Sequence, residues 1–133
     1  TLGNPDAIAA RATFFETGAD SECTIFFNYK EAKATLKSTL LEETPTEAIF
    51  TFEKAVIKIH TRFHEPASVT VLANGKEETI DLDCKTTGYN FEAEHFSQLI
   101  REGKKESDIM TFEFSRNLIT TLDKVRNSIG LEY

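Results

Sequence analysis

Apolar and polar residues alternate through the first two thirds of the chain. Such alternation, in short runs rich in β-branched and aromatic residues and separated by turn residues, predicts β-strands. The Asn74-Gly75 pair lies between two such runs and is the strongest short-range signal for a hairpin. The predicted strands cover residues 7–15, 22–29, 34–41, 47–52, 55–61, 68–73 and 76–83.

The period of the apolar positions changes after Gly88. Two stretches then follow helical spacing, and each ends at a glycine suited to a helix C-terminus, Gly103 and Gly130. Asn90 is the predicted N-cap of the first helix, and the apolar positions of the second begin at Leu118. The predicted fold class is α+β: one domain over residues 1–133, with an open, mainly antiparallel sheet of about seven strands and two C-terminal helices on one face.

Two pairs of neighbouring phenylalanines, Phe14-Phe15 and Phe26-Phe27, place a large aromatic on both faces of the predicted sheet. Seven strands give a sheet about 30 Å wide, and two helices cover roughly 20 Å of one face. The second face therefore has no cover from this chain, which predicts an interface. We expect a homodimer through the open sheet face that includes all four phenylalanines. Which member of each pair points to the open face stays undetermined without the strand register.

Charge and composition exclude several classes of partner. The net charge is −7 with no block of Lys or Arg, which argues against a nucleic-acid partner. No apolar run approaches the roughly 18 residues of a membrane span, so no membrane partner is expected. Two cysteines, Cys23 and Cys84, are too few for a disulfide scaffold and indicate a reducing, cytoplasmic setting, although a bridge between them stays open.

The sequence contains no recognisable catalytic constellation. His60 and His64 are four residues apart, but no Cys or carboxylate stands at matching spacing, so no metal site is expected. His95 lies among acidic residues of a predicted helix, which is typical of a surface histidine. Asp81 and Asp83 share one face of a predicted strand and are best explained as its solvated side. No catalytic residue is therefore assigned to this chain.

The N-terminal segment is unusual. Gly3 followed by Pro5 is typical of the end of a helix, yet no helix precedes them. Two interpretations are open: an ordinary frayed terminus, or a chain that begins inside a longer protein.

Several segments together resemble a known family. They are residues 88–95, 100–107, 123–126 and 129–133, with 2–5, 16–20 and 63–66 upstream. This combination resembles the C-terminal part of the Gfo/Idh/MocA oxidoreductases, in particular the dihydrodiol dehydrogenase-like branch. The resemblance implies that the full-length protein has an N-terminal Rossmann domain, which would be the partner of this chain. It also implies NAD or NADP as cofactor and a sugar-like or diol/carbonyl substrate.

The cofactor half of that family is missing from this chain. There is no G-x-G-x-x-G and no Glu-Lys-Pro motif with its catalytic lysine, and Glu53-Lys54-Ala55 is not that motif. We therefore expect this chain to bind no cofactor and to be inactive alone. The resemblance implies a substrate-binding role for His64, where the branch often carries Trp, and more weakly for Phe63, Phe14 and Arg11. The alternative is a stand-alone sheet-based module that binds a ligand or a protein.

Overall fold

A computed structural model describes residues 2–65, 68–83 and 86–132. It confirms the α+β class, with antiparallel strand pairs followed by two helices. The strands are β1 (Ala7–Phe14), β2 (Asp20–Asn28), β3 (Lys33–Thr39), β4 (Ala48–Thr51), β5 (Ala55–Ile59), β6 (Val69–Ala73) and β7 (Lys76–Ile80). The helices are α1 (Tyr89–Arg101) and α2 (Phe112–Ile129). No helix in these ranges is both long and apolar enough to cross a membrane.

The strands form two hydrogen-bonded sheets, where the sequence predicted one. Sheet A has the order β1-β2-β3 and sheet B has the order β4-β5-β6-β7. The break falls between β3 and β4, where Pro45 has no N–H to donate and Thr46 has a φ of 50°. The chain correspondingly divides into two compact units, Thr1–Glu43 with Glu106–Tyr133, and Thr44–Lys105. Sheet A and α2 belong to the first unit, and sheet B and α1 belong to the second.

Helix α2 packs against β1 of sheet A. Exposed and half-buried positions alternate along β1, and the half-buried ones are Ile8, Ala10 and Ala12. We infer that α2 covers this face, because the alanines let a helix approach closely. Along the apolar side of α2 the exposed fraction falls from 50% at Phe114 to 6% at Val125. The buried contact is therefore made by the C-terminal half of the helix.

The limits of α2 are set by its caps. The Thr111 hydroxyl accepts a hydrogen bond from the Phe114 N–H at 3.0 Å, so the helix begins at Phe112, earlier than the apolar pattern indicated. Gly130 takes the left-handed conformation at the C-terminal end, with a φ of 72°. The predicted end at Gly130 is confirmed.

The register of sheet A resolves the orientation of one phenylalanine pair. Phe27 lies opposite Ile8, on the face that α2 covers, whereas Phe26 lies opposite Ala9 on the other face. The Arg11 guanidinium stands 5.7 Å from the centre of the Phe26 ring, in cation–π range. Phe26 is therefore the aromatic residue of the second strand that points to the face opposite α2, which we call the uncovered face because the helix of this unit does not pack on it.

The uncovered face of sheet A is largely polar. Thr24 is buried between Arg11 and Lys37, which flank it on the neighbouring strands. The Lys37 ammonium lies 3.0 Å from carboxylate oxygens of both Glu22 and Glu42. The hydrogen bonds to Glu22 and then to Glu42 raise the pKa of Lys37. The face therefore carries charges of both signs in fixed positions.

Phe14 and Phe15 lie where β1 becomes irregular. Phe14 pairs with Asp20 after a register shift that follows Thr13, and Phe15 comes directly after the strand. Both side chains are exposed. Because the shift interrupts the alternation, neither residue can be assigned to a face by counting along the strand.

The predicted hairpin joins β6 and β7 of sheet B. Asn74 and Gly75 both have positive φ, 51° and 70°, as a type I′ turn requires, so this prediction is confirmed. The register gives sheet B one strongly apolar face. Its apolar members are Ala48, Phe50, Ala55, Ile57, Ile59, Val69, Val71, Ala73 and Ile80, and Lys76 and Glu78 of β7 lie on the same face.

Helix α1 begins differently from the prediction. Gly88 is its N-cap, with a φ of 94° and no side-chain cap, and Asn90 lies inside the helix, so the predicted Asn90 cap is wrong. Glycine suits this position because a side chain disfavours positive φ. Tyr89, Phe96 and Ile100 are exposed and share one side of α1. This apolar stripe has no cover among the described residues of the second unit.

Cys23 has a free thiol in the middle of sheet A and is only 5% exposed. Burial, and then the nearby Asp20 carboxylate, raises the pKa of this thiol. Cys84 lies outside the described residues.

We expect Cys23 to react slowly with a thiol reagent in the native protein, because only the thiolate attacks. In a Cys84→Ser background, labelling should accelerate in denaturant. The folded state favours the protonated thiol, so this group should lower stability as the pH rises above about 8.5, the ordinary thiol pKa. Rapid labelling of the folded protein at neutral pH would contradict this expectation.

Candidate functional site

The chain turns sharply after β5, and the turn is held by several hydrogen bonds. Arg62 has a φ of 64°, a left-handed conformation that is uncommon for a residue with a side chain. The Glu65 N–H donates to the Arg62 carbonyl at 2.7 Å, and Arg62 Nη1 donates to the two Glu65 carboxylate oxygens at 3.1 and 3.4 Å. Strained backbone of this kind persists only where its surroundings hold it in place.

The same turn presents two rings to solvent. The Phe63 N–H donates to the Thr46 carbonyl at 3.1 Å, which ties the turn to the segment before β4. The rings of Phe63 and His64 meet edge to face with their centres 5.5 Å apart. Phe63 is 48% exposed and the side chain of His64 is 57% exposed. Two of the predicted substrate-binding residues therefore form one aromatic pair, which we call the ring corner.

The other two predicted substrate-binding residues lie in the first unit. Arg11 is on β1 over the Phe26 ring, and Phe14 is at the irregular end of β1. Their assignment to a substrate site remains a prediction.

Arg62 and Glu65 were not singled out by sequence analysis. His64 Nε2 lies 3.9 Å from Glu65 Oε1, so one carboxylate stands beside both an imidazole and a guanidinium. The only available signal was an arginine three residues before a glutamate at the end of a strand. That spacing is common in surface turns and does not by itself indicate a site.

Two side-chain hydrogen bonds link His60 to β6 and β7 of sheet B. His60 Nε2 lies 2.7 Å from the Thr70 hydroxyl, which lies 2.8 Å from the Thr79 hydroxyl. His60 is thus tied to β6 and β7, whereas His64 stands beside Glu65. Among residues 2–65, 68–83 and 86–132, no three His, Cys, Asp or Glu side chains gather as a metal site would require.

The residues of this chain do not fit a nicotinamide dinucleotide. Phosphate-binding loops of that class need closely spaced glycines between a strand and a helix. The six glycines of the chain are widely separated, and the two that are nearest in sequence are Gly75 and Gly88. Glu53 and Lys54 form a tight strand connection, in which the Phe52 N–H donates to the Ala55 carbonyl at 2.8 Å. No redox step is therefore assigned to residues of this chain.

Comparison with characterised proteins identifies relatives of one type. The chain is 33% identical to trans-1,2-dihydrobenzene-1,2-diol dehydrogenase of Xenopus laevis over 97% of its own length and 41% of that protein. It is 29% identical to the scyllo-inositol 2-dehydrogenase (NADP(+)) IolU of Bacillus subtilis, over 99% of the chain and 40% of that protein. No protein-family model matches the chain. The chain spans about 41% of the length of the relatives it matches.

Solved structures with the same fold are also oxidoreductases. UDP-N-acetylglucosamine 3-dehydrogenase GnnA of Acidithiobacillus ferrooxidans matches 95% of this chain with 40% of its own length, at a TM-score of 0.77 and 15% identity. The oxidoreductase yvaA of Bacillus subtilis matches 96% of this chain with 43% of its own, at a TM-score of 0.70 and 14% identity. At these identities the likeness concerns the fold. The sequence relatives of this chain are oxidoreductases of the Gfo/Idh/MocA type, and the matched share of their length is consistent with a C-terminal domain.

Proposed function

We propose that this chain is the substrate-binding and dimerisation domain of an NAD(P)-dependent dehydrogenase that acts on a sugar-like or diol/carbonyl substrate. The observation that carries the proposal is the 33% identity to a dihydrodiol dehydrogenase over 97% of the chain but 41% of that relative. The remaining share of the relative is large enough for a separate dinucleotide-binding domain. That domain would supply the cofactor site, which the residues of this chain do not fit.

Substrate binding in this proposal centres on the ring corner. Phe63 and His64 are exposed on a turn that hydrogen bonds hold rigidly, and rigid presentation lowers the entropic cost of binding. In the parent enzyme this turn would form one wall of the substrate pocket. The turn would position the substrate and would take no part in hydride transfer.

The experiment compares this chain with a parent that contains the dinucleotide domain. We expect no calorimetric signal when NAD+ or NADP+ is titrated into the 133-residue chain, after circular dichroism has shown that it is folded. The parent should bind one of the two and should reduce it in the presence of a cyclic polyol or vicinal diol. Dinucleotide binding by the chain alone, or a parent without dehydrogenase activity on any such substrate, would contradict the proposal.

A homodimer is the second part of the proposal. The uncovered face of sheet A carries Arg11, Lys37 and Glu22 around Thr24, and Phe26 lies next to Arg11. In a two-fold interface each patch meets a copy of itself, so a charged patch needs charges of both signs. This face meets that requirement and offers an aromatic residue on its central strand. Of the four phenylalanines expected at the interface, the register favours Phe26 over Phe27.

A further inference from the structure

The turn between β6 and β7 places an asparagine beside a glycine in open surroundings. Asn74 is the only asparagine of the sequence that glycine follows. Both residues are exposed, and no described atom beyond the neighbours of Gly75 in the chain lies within 4 Å of where its Cβ would stand. We propose that Asn74 is a site of spontaneous deamidation, which lengthens the main chain at the turn and releases β7 from sheet B. This inference goes beyond the proposed function and does not depend on it.

The reaction is a ring closure between two neighbouring residues, and its only co-reactant is water. The Gly75 nitrogen attacks Cγ of Asn74, the new N–Cγ bond closes a cyclic imide, and the Cγ–Nδ2 bond breaks. The proton of the Gly75 N–H leaves with the side-chain nitrogen as ammonia. Water then opens the imide and returns a proton to the Gly75 nitrogen. Attack at Cγ gives aspartate, whereas attack at the main-chain carbonyl carbon gives isoaspartate, in which the chain continues through Cγ.

The turn has to change its conformation before the ring can close. Asn74 and Gly75 have φ of 51° and 70°, and the type I′ turn that they form has a ψ of about 30° at its first central residue. At that angle the Gly75 nitrogen points away from the Asn74 Cβ. A type II′ turn keeps a φ of about 60° there but has a ψ of about −120°, which brings the nitrogen level with Cβ. A flip of the Asn74–Gly75 peptide converts one turn to the other, because glycine accepts φ of either sign.

The flip leaves the hairpin intact. Both turn types are two-residue connections, so Ala73 stays paired with Lys76 while the ring closes. Type II′ turns favour glycine at the first central position, and an asparagine reaches that conformation only at a cost. The folded chain should therefore react without unfolding of sheet B, but more slowly than a flexible peptide.

Isoaspartate adds one main-chain atom to a loop of the shortest kind. Loop length fixes the register of a hairpin, so the added atom works against the pairing of β6 with β7. All five residues of β7 are exposed, and the strand lies at the edge of its sheet, so little burial opposes its release. Release would also break the contact of 2.8 Å between the Thr70 and Thr79 hydroxyls. Aspartate keeps the original chain length and suits a type I′ turn before glycine.

The test is incubation of the 133-residue chain at mildly alkaline pH and physiological temperature, followed by peptide mapping with mass spectrometry. Digestion in heavy-oxygen water marks any imide that opens during handling. We expect isoaspartate and aspartate at position 74 to form about tenfold more slowly than in a synthetic peptide of residues 72–77, as the cost of the flipped turn predicts. Asn127 is the internal control and should remain intact. It is exposed and precedes a small residue, Ser128, but it lies within α2.

Amide hydrogen exchange measures the release of β7. The isoaspartate fraction of the aged chain should lose protection at residues 76–80, which pair with β6 in the unreacted chain. Asn74→Asp adds the same charge without the extra atom, and it should keep this protection. Asn74→Gly removes the reactive amide and accepts positive φ, so its β7 should stay protected throughout the incubation.

Three results would overturn the inference. The first is an unmodified Asn74 after the peptide has reacted completely. The second is conversion of the folded chain at the rate of the peptide, because the turn would then impose no geometric control. The third is equal protection of β7 in the isoaspartate fraction and in Asn74→Asp, which would show that the added atom does not release the strand.

Discussion

Replacement of Val125 by Asp should unfold much of the first unit. Val125 is 6% exposed, and α2 is the helix that packs on β1. A carboxylate at this position would lose its hydration without a compensating partner, at a cost of about 4 kcal/mol or more. Domains of this size have a total stability of about 5–15 kcal/mol, so the change removes a large part of it.

Chemical denaturation followed by circular dichroism measures this effect. Val125→Ala should cost about 2 kcal/mol, from lost burial and the cavity left behind. Ile119→Asp is the control with the same new charge on the same helix, at a position that is exposed. It should change stability far less. If Val125→Asp and Ile119→Asp had equal effects, the packing of α2 on β1 would be refuted.

Replacement of Phe26 by Asp should convert the proposed dimer to a monomer. Phe26 lies on the uncovered face of sheet A beneath the Arg11 guanidinium. A new charge here has to be desolvated on association, and even when it pairs with Arg11 of the same chain it leaves no aromatic surface for the partner to contact. Obligate dimers commonly bury more than about 2,000 Å², so we expect an intact dimer to persist at micromolar concentration.

Light scattering provides the readout, since one chain has a mass of 15.0 kDa and the dimer twice that value. Ile119→Asp again serves as the control for added charge and should remain dimeric. Phe26→Asp has to retain its circular dichroism spectrum for the comparison to hold. A wild-type chain that is monomeric at high micromolar concentration would reject the dimer, and a dimeric Phe26→Asp would reject this face.

Local structural features were predicted correctly from the sequence where one or two residues decide the backbone conformation. Asn74-Gly75 forms the expected turn because few other pairs accept positive φ twice, and Gly130 ends α2 for a similar reason. The Asn90 cap failed because a glycine two residues earlier already turns the chain into α1. The preference of residue types for the N-cap suggests candidate positions, but the backbone conformation of neighbouring residues decides which position caps the helix.

Features that depend on pairing between distant residues could not be predicted. Alternation along β2 established that Phe26 and Phe27 point in opposite directions, but only the pairing of Phe27 with Ile8 shows which of them α2 covers. The division into two sheets depends on the absence of a ladder between β3 and β4, which neighbouring strand patterns do not reveal. The Arg62–Glu65 contact likewise requires the left-handed turn that brings the two side chains together.

At position 62, folding stability and ligand recognition favour different residues. A search for stabilising substitutions would select glycine at position 62, because the left-handed backbone there favours a residue without a Cβ. The same substitution would remove the guanidinium that holds the Glu65 carboxylate beside His64. Selection for thermal resistance alone would therefore alter the surroundings of the ring corner, and an engineered variant that gained heat tolerance through Arg62→Gly would lose part of the proposed substrate site in the same step.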